Sequence, residues 1–148
     1  MGDISNSDLE HAGQIGQVMI MAETHDVKYA TIANGCDNIP AVSRVSNGAV
    51  SSDKAAAHLC NVQCSHQREH RYCNLSTYLP GPLNTMADDA SRMQQLTHAA
   101  FLSHFQQAYP QPVPSTLLHL PLKLASRLSS TLAPSPPPRP PTARLSRH

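Results

Sequence analysis

Apolar residues recur near helical period along NSDLEHAGQIGQVMIMAETH, where Leu9, Ala12, Gly16, Met19 and Ile20 fall toward one side. Ser7 and Glu10 stand at capping-box spacing, so the pattern predicts a helix over 7–24, weakened by Gly13 and Gly16. VKYATI has the β-branched and aromatic content of a strand over 27–32, and Asn34 with Gly35 then permits a turn. Asp37 lies just past it. PAVSRVSNG predicts a short helix from Pro40, closed by Asn47 and Gly48. SSDKAAAHLCNVQCSHQREH predicts a longer helix, capped by Ser51 or Ser52. Over 72–79 the chain alternates Cys73, Leu75, Thr77 and Leu79 against Tyr72, Asn74, Ser76 and Tyr78, which predicts a strand with two different faces. PGPLN breaks that strand, and Asn84 is placed to cap a helix over TMADDASRM.

Helix, strand, helix, helix, strand, helix is the order that gives parallel strands joined by helical crossovers. Further on, THAAFLSHFQQAY predicts an amphipathic helix with Ala99, Leu102 and Phe105 on one side, and PSTLLHLPLKLASRLSSTL another, broken by Pro121. Residues 133–148 contain six prolines and no acid, so a disordered, extended tail is expected there.

Composition limits how much of this can pack. The chain has 148 residues, of which 40% are hydrophobic, with thirteen prolines and no Trp, so one small domain plus unstructured chain is expected. Charge is divided unevenly: residues 1–89 hold ten acids and five bases, while residues 90–148 hold six bases and no acid. An acidic front suits cation binding and a basic back suits a polyanion, although solvated surface charge gives the same pattern. No apolar run reaches the roughly 20 residues of a membrane span, and no signal peptide opens the chain, so an intracellular, cytoplasmic or nuclear protein is expected. Its four cysteines should then be reduced thiols.

The acids carry the chemistry. Glu10 falls in a helix's first turn, Asp37 follows a strand, and Asp88 with Asp89 opens the helix after the second strand. In parallel α/β arrangements ligands gather beyond the carboxyl ends of strands. Acids converging there from separate elements are what two-metal hydrolysis of a phosphodiester requires. Taken singly, each acid also has an ordinary role in a cap, a turn or a helix dipole.

In order and spacing, SNSDLE, GCDNIPAV and LPGPLNTMADDASR resemble the later part of the ribonuclease H domain of retroelement reverse transcriptases. The nearest group is that whose elements also carry a tyrosine recombinase. The resemblance implies a partial ribonuclease H-like α/β fold of two parallel strands with crossover helices, the first three strands missing. It implies Mg²⁺-dependent hydrolysis of RNA in RNA–DNA hybrids, with Glu10, Asp37 and Asp88 as catalytic metal ligands. Asn38 corresponds to the asparagine of the family's DN step, and Ser91 and Arg92 to its closing pair. The family's first aspartate has no counterpart, since Asp3 lies in a short stub. The expectation is therefore a fragment inactive as this chain alone, either completed by the missing N-terminal half of the polyprotein on another chain or left by a decayed or truncated element, with RNA–DNA hybrid or other nucleic acid as its partner. The truncated domain would span 4–92, followed by a helical connecting segment over 93–132 and the Pro/Arg-rich tail over 133–148.

HLCNVQCSHQREHRYC competes with this reading. His58, Cys60, Cys64, His66, His70 and Cys73 offer more than four zinc ligands, and Cys60/Cys64 and His66/His70 are each four apart, on one helical face. Yet Cys60, Cys64 and His66 do not share a face, and the spacing fits no finger. The bland reading buries Cys60 and Cys64 and leaves His66, Arg68, His70 and Arg71 solvated or near nucleic acid. Zinc is disfavoured. The remaining alternatives are a small zinc module and a non-catalytic nucleic-acid or protein-interaction remnant using the basic tail.

Overall fold

A computed structural model describes residues 4–48 and 54–133. Its elements are α1 (Asn6–Thr24), β1 (Thr31–Cys36), α2 (Ile39–Asn47), α3 (Lys54–His70), β2 (Cys73–Tyr78), a 3₁₀ turn (Gly81–Leu83), α4 (Thr85–Arg92), α5 (His98–Ala108) and α6 (Leu122–Leu132). The fold is mixed α/β, with β1 and β2 paired in parallel from Thr31 opposite Cys73 to Cys36 opposite Tyr78. The expected cap at Ser51 or Ser52 and the expected tail beyond Ala133 lie outside the described residues.

Several boundaries differ from the sequence pattern, each for a local reason. The capping box of α1 is Ser5 with Asp8, not Ser7 with Glu10. The Ser5 hydroxyl accepts from the Asp8 N–H at 3.2 Å, and Asp8 Oδ2 accepts from the Ser5 N–H at 2.8 Å and its hydroxyl at 2.7 Å. β1 starts at Thr31 rather than at Val27, because Tyr29 turns the chain with φ 64° and the Ala30 N–H closes on the Val27 carbonyl at 2.9 Å. Asn34 and Gly35, expected in a turn, pair instead with Ser76 and Thr77 inside the sheet. Pro121 does not break the last helix but precedes it as its N-cap. Asn84 occupies the N-cap of α4 without a side-chain capping bond.

Other signals hold. Asn38 caps α2 by accepting the Ala41 N–H at 3.0 Å, and Pro40 lies in its first turn. Gly48 ends α2 with φ 60°, a conformation that costs a residue with a Cβ about 1 kcal/mol or more.

The main core is built by three helices: Ala12, Ile15 and Met19 of α1, Leu59 and Val62 of α3, and Leu124 and Leu128 of α6. A second cluster joins Val18 and Ala22 to Val27, Ile32 and Tyr72 at the start of the strands. Leu9 does not share in this; it is exposed, while Asp8, His11 and Gln14 point inward. These three polar residues tie α1 to its neighbours. Asp8 pairs with Arg44 of α2, His11 Nε2 lies 3.3 Å from Gln63 Oε1 of α3, and Gln14 Oε1 accepts from the Ser76 hydroxyl of β2 at 3.1 Å. Burial lowers the His11 pKa, only partly offset by the Gln63 hydrogen bond, so the ring is held toward its neutral form.

One face of the sheet, carrying Ile32, Cys36 and Ser76, is buried, whereas Ala33, Gly35, Leu75 and Thr77 on the other are exposed. α4 and α5 contribute no buried residue. No described helix is long and apolar enough to cross a membrane.

Candidate metal centre

Glu10 and Asp37 reach each other from separate elements. α1 carries Glu10 in its second turn, and β1 delivers Asp37 at its carboxyl end, just before Asn38 begins α2. The Asp8–Arg44 pair clamps the start of α1 to α2, so it fixes both sides of this junction. One carboxylate oxygen each from Glu10 and Asp37 and the Cys36 sulfur all lie within 4.8 Å of one another.

The strand pairing shapes the rest of the junction. The Leu79 N–H extends the ladder to the Cys36 carbonyl at 2.9 Å, and the following Pro-Gly-Pro turn passes Asp37. A Cβ on Gly81 would stand 3.9 Å from Asp37 Oδ2. A Cβ at Gly35 would stand 3.2 Å from the Leu79 side chain, which would have to give by a few tenths of an ångström, so the two strand ends pack closely here. Cys36 is buried, and its sulfur accepts the Asn38 N–H at 3.3 Å, which ties the thiol into the turn.

Asp88 is not part of the group. Its carboxylate is taken by Arg92 at 2.7 Å on the exposed side of α4, an i,i+4 pair, and its backbone carbonyl accepts the Ser91 hydroxyl. Asp89 is engaged separately, by the Tyr109 hydroxyl. That bond, more than burial, raises the Tyr109 pKa. Two of the three expected acids are thus gathered and the third is held elsewhere.

The cysteine and histidine cluster does not form one centre. Among the described residues, no three of His58, Cys60, Cys64, His66, His70 and Cys73 converge as ligands. Cys60 is buried, and burial with the neighbouring Cys64 raises its thiol pKa; Cys64 and Cys73 are exposed. His66 departs from the solvated placement expected for it and is 1% exposed.

Two carboxylates on adjoining elements can hold a hard cation, and Mg²⁺ often binds through one or two carboxylates while keeping several waters. The thiol is a poor ligand for such an ion. The residues present therefore fit one hard cation and do not fit a two-metal clamp. No protein-family model matches the chain, and no curated protein or solved structure matches it either.

Proposed function

We propose that this chain is a ribonuclease H-like piece of retroelement origin that retains half of a metal site, binds nucleic acid through it, and does not cleave RNA–DNA hybrid by itself. The observation that carries this reading is the meeting of Glu10 and Asp37 at the carboxyl end of β1. Because Ser5 and Asp8 provide the cap of α1, Glu10 is not needed for that local role. The order of elements and the parallel pairing support the same reading, as does the resemblance of the three motifs.

In this scheme Glu10 and Asp37 would hold one Mg²⁺, and Asn38, by capping α2, fixes the turn that follows Asp37. A bound ion would supply positive charge for a phosphate oxygen. Asp88, held by Arg92, adds nothing to that charge cluster, so this reading predicts binding of hybrid without cleavage. Completion of the site would require a further acid from the remainder of a polyprotein, the partner this reading implies.

Titration of the full chain with Mg²⁺, and of the Mg²⁺-loaded chain with a labelled hybrid, tests this. Glu10→Gln and Asp37→Asn should each weaken both bindings, Asp88→Asn should change neither, and no hybrid should be cleaved. Mg²⁺ binding indifferent to both Glu10→Gln and Asp37→Asn would overturn the reading.

A further inference from the structure

We propose that Glu23, His66 and His70 form a second metal site, separate from Glu10 and Asp37 and selective for a borderline transition-metal ion of the Zn²⁺ type. His66 and His70 are one turn apart on α3, and Glu23 reaches them from the last turn of α1. Glu23 Oε1 lies 3.8 Å from His66 Nε2 and 3.7 Å from His70 Nε2, and a ligand atom from each of the three is within 4.8 Å of the others. These separations are too long for hydrogen bonds. They are a few tenths of an ångström above the ~3.3 Å between two ligands on a tetrahedral ion bound at about 2.0 Å.

The hydrogen bonding of His66 makes the case stronger. Its ring is buried, its Nδ1 is 3.0 Å from the Tyr72 hydroxyl, and its Nε2 is buried without a hydrogen-bond partner. With the proton on Nδ1, the ring donates to Tyr72 and turns an Nε2 lone pair toward a carboxylate. With the proton on Nε2, Tyr72 donates to Nδ1, and the Nε2–H finds Glu23 out of range. Either neutral tautomer leaves Nε2 unsatisfied, and a cation between His66, His70 and Glu23 satisfies it in the first. The Tyr72 contact then serves as the outer hydrogen bond that metal-bound histidines usually make.

Charge favours a cation here for an independent reason. The C-terminal ends of α1 and α3 meet at the cluster, and both present the partial negative charge of their last carbonyls. Two imidazoles with one carboxylate suit Zn²⁺ and similar ions, whereas Mg²⁺ prefers all-oxygen ligation. The arrangement leaves a fourth position open and bridges the ends of two core helices.

The test uses the full chain freed of metal with a chelator and titrated with Zn²⁺, with Co²⁺ as the spectroscopic probe. Expected are one Zn²⁺ per chain, Co²⁺ absorption without sulfur-to-metal charge transfer, and a higher thermal midpoint with Zn²⁺. Glu23→Gln and His70→Gln, both at partly exposed positions, should each weaken Zn²⁺ binding by about tenfold or more with the circular dichroism unchanged. Glu10→Gln and Asp37→Asn should leave Zn²⁺ binding intact, so this site and the Mg²⁺ site fail or survive separately. Absence of Zn²⁺ binding by the folded chain, binding unaffected by Glu23→Gln and His70→Gln, or a thiolate signature lost in Cys64→Ser would each overturn the proposal.

Discussion

Arg44 Nη1 donates to Asp8 Oδ1 across 2.7 Å, an ion pair between α1 and α2 from residues 36 apart in sequence. Asp8 is fully buried, and Ser5 supplies the hydrogen bonds to its other oxygen. Arg44→Ala would leave a buried carboxylate short of its charged partner. A loss of about 3 kcal/mol is expected, measured by urea denaturation, at the lower end for a broken buried pair because Ser5 remains.

The same carboxylate sets an acid limit on stability. Burial pushes the Asp8 pKa upward, but the hydrogen bonds from Ser5 and Arg44, with the charge of Arg44, outweigh it and hold the group below the usual carboxylate value. A lowered folded pKa means the unfolded chain takes up the proton first. The stabilisation is complete above about pH 4 and is lost as pH falls through the folded value. The thermal midpoint of the native chain should therefore fall more steeply below about pH 4 than that of Asp8→Asn. Parallel acid profiles would show that Asp8 is not the group responsible.

The position of the helix cap can be tested by comparing two serines. Ser5→Ala removes the cap and a partner of Asp8, and should cost about 1–2 kcal/mol. Ser7→Ala, outside the capping box, should stay within about 0.5 kcal/mol of the native chain. Equal losses in chemical denaturation would contradict the geometry.

α6 should matter to stability far more than α5. Leu128→Ala empties a buried place between α1 and α3, where the side chain approaches Gly16, and should cost about 3 kcal/mol. Leu102→Ala, on a helix with no buried residue, should cost under about 1 kcal/mol. Unfolding midpoints of the two variants give the ranking directly.

Local chemistry made much of this protein legible. Asn38 with Pro40 and Gly48 marked both ends of α2, alternation marked β2, and the order of elements implied parallel strands. These signals act over one to four residues, where the chain's own geometry decides. β1 starts later than the strand-like chemistry of Val27 suggests, because Val27 is buried in a turn, while Asn34 and Gly35 are drawn into the ladder by β2.

The sequence by itself determined the helices, the two parallel strands, the i,i+4 pairing of His66 with His70 and the placing of Asp37 beyond a strand. Only the tertiary structure decided which residues meet. Asp8 rather than Leu9 turns inward because Arg44 waits there to compensate its charge; Glu10 reaches Asp37 while Asp88 pairs with its own Arg92. Glu23 lies opposite His66 and His70 because the Ile15, Met19, Leu59 and Val62 packing sets the relation between α1 and α3. Such encounters carry no periodic signal, since they are fixed by how hydrophobic faces pack between elements and not by spacing within one.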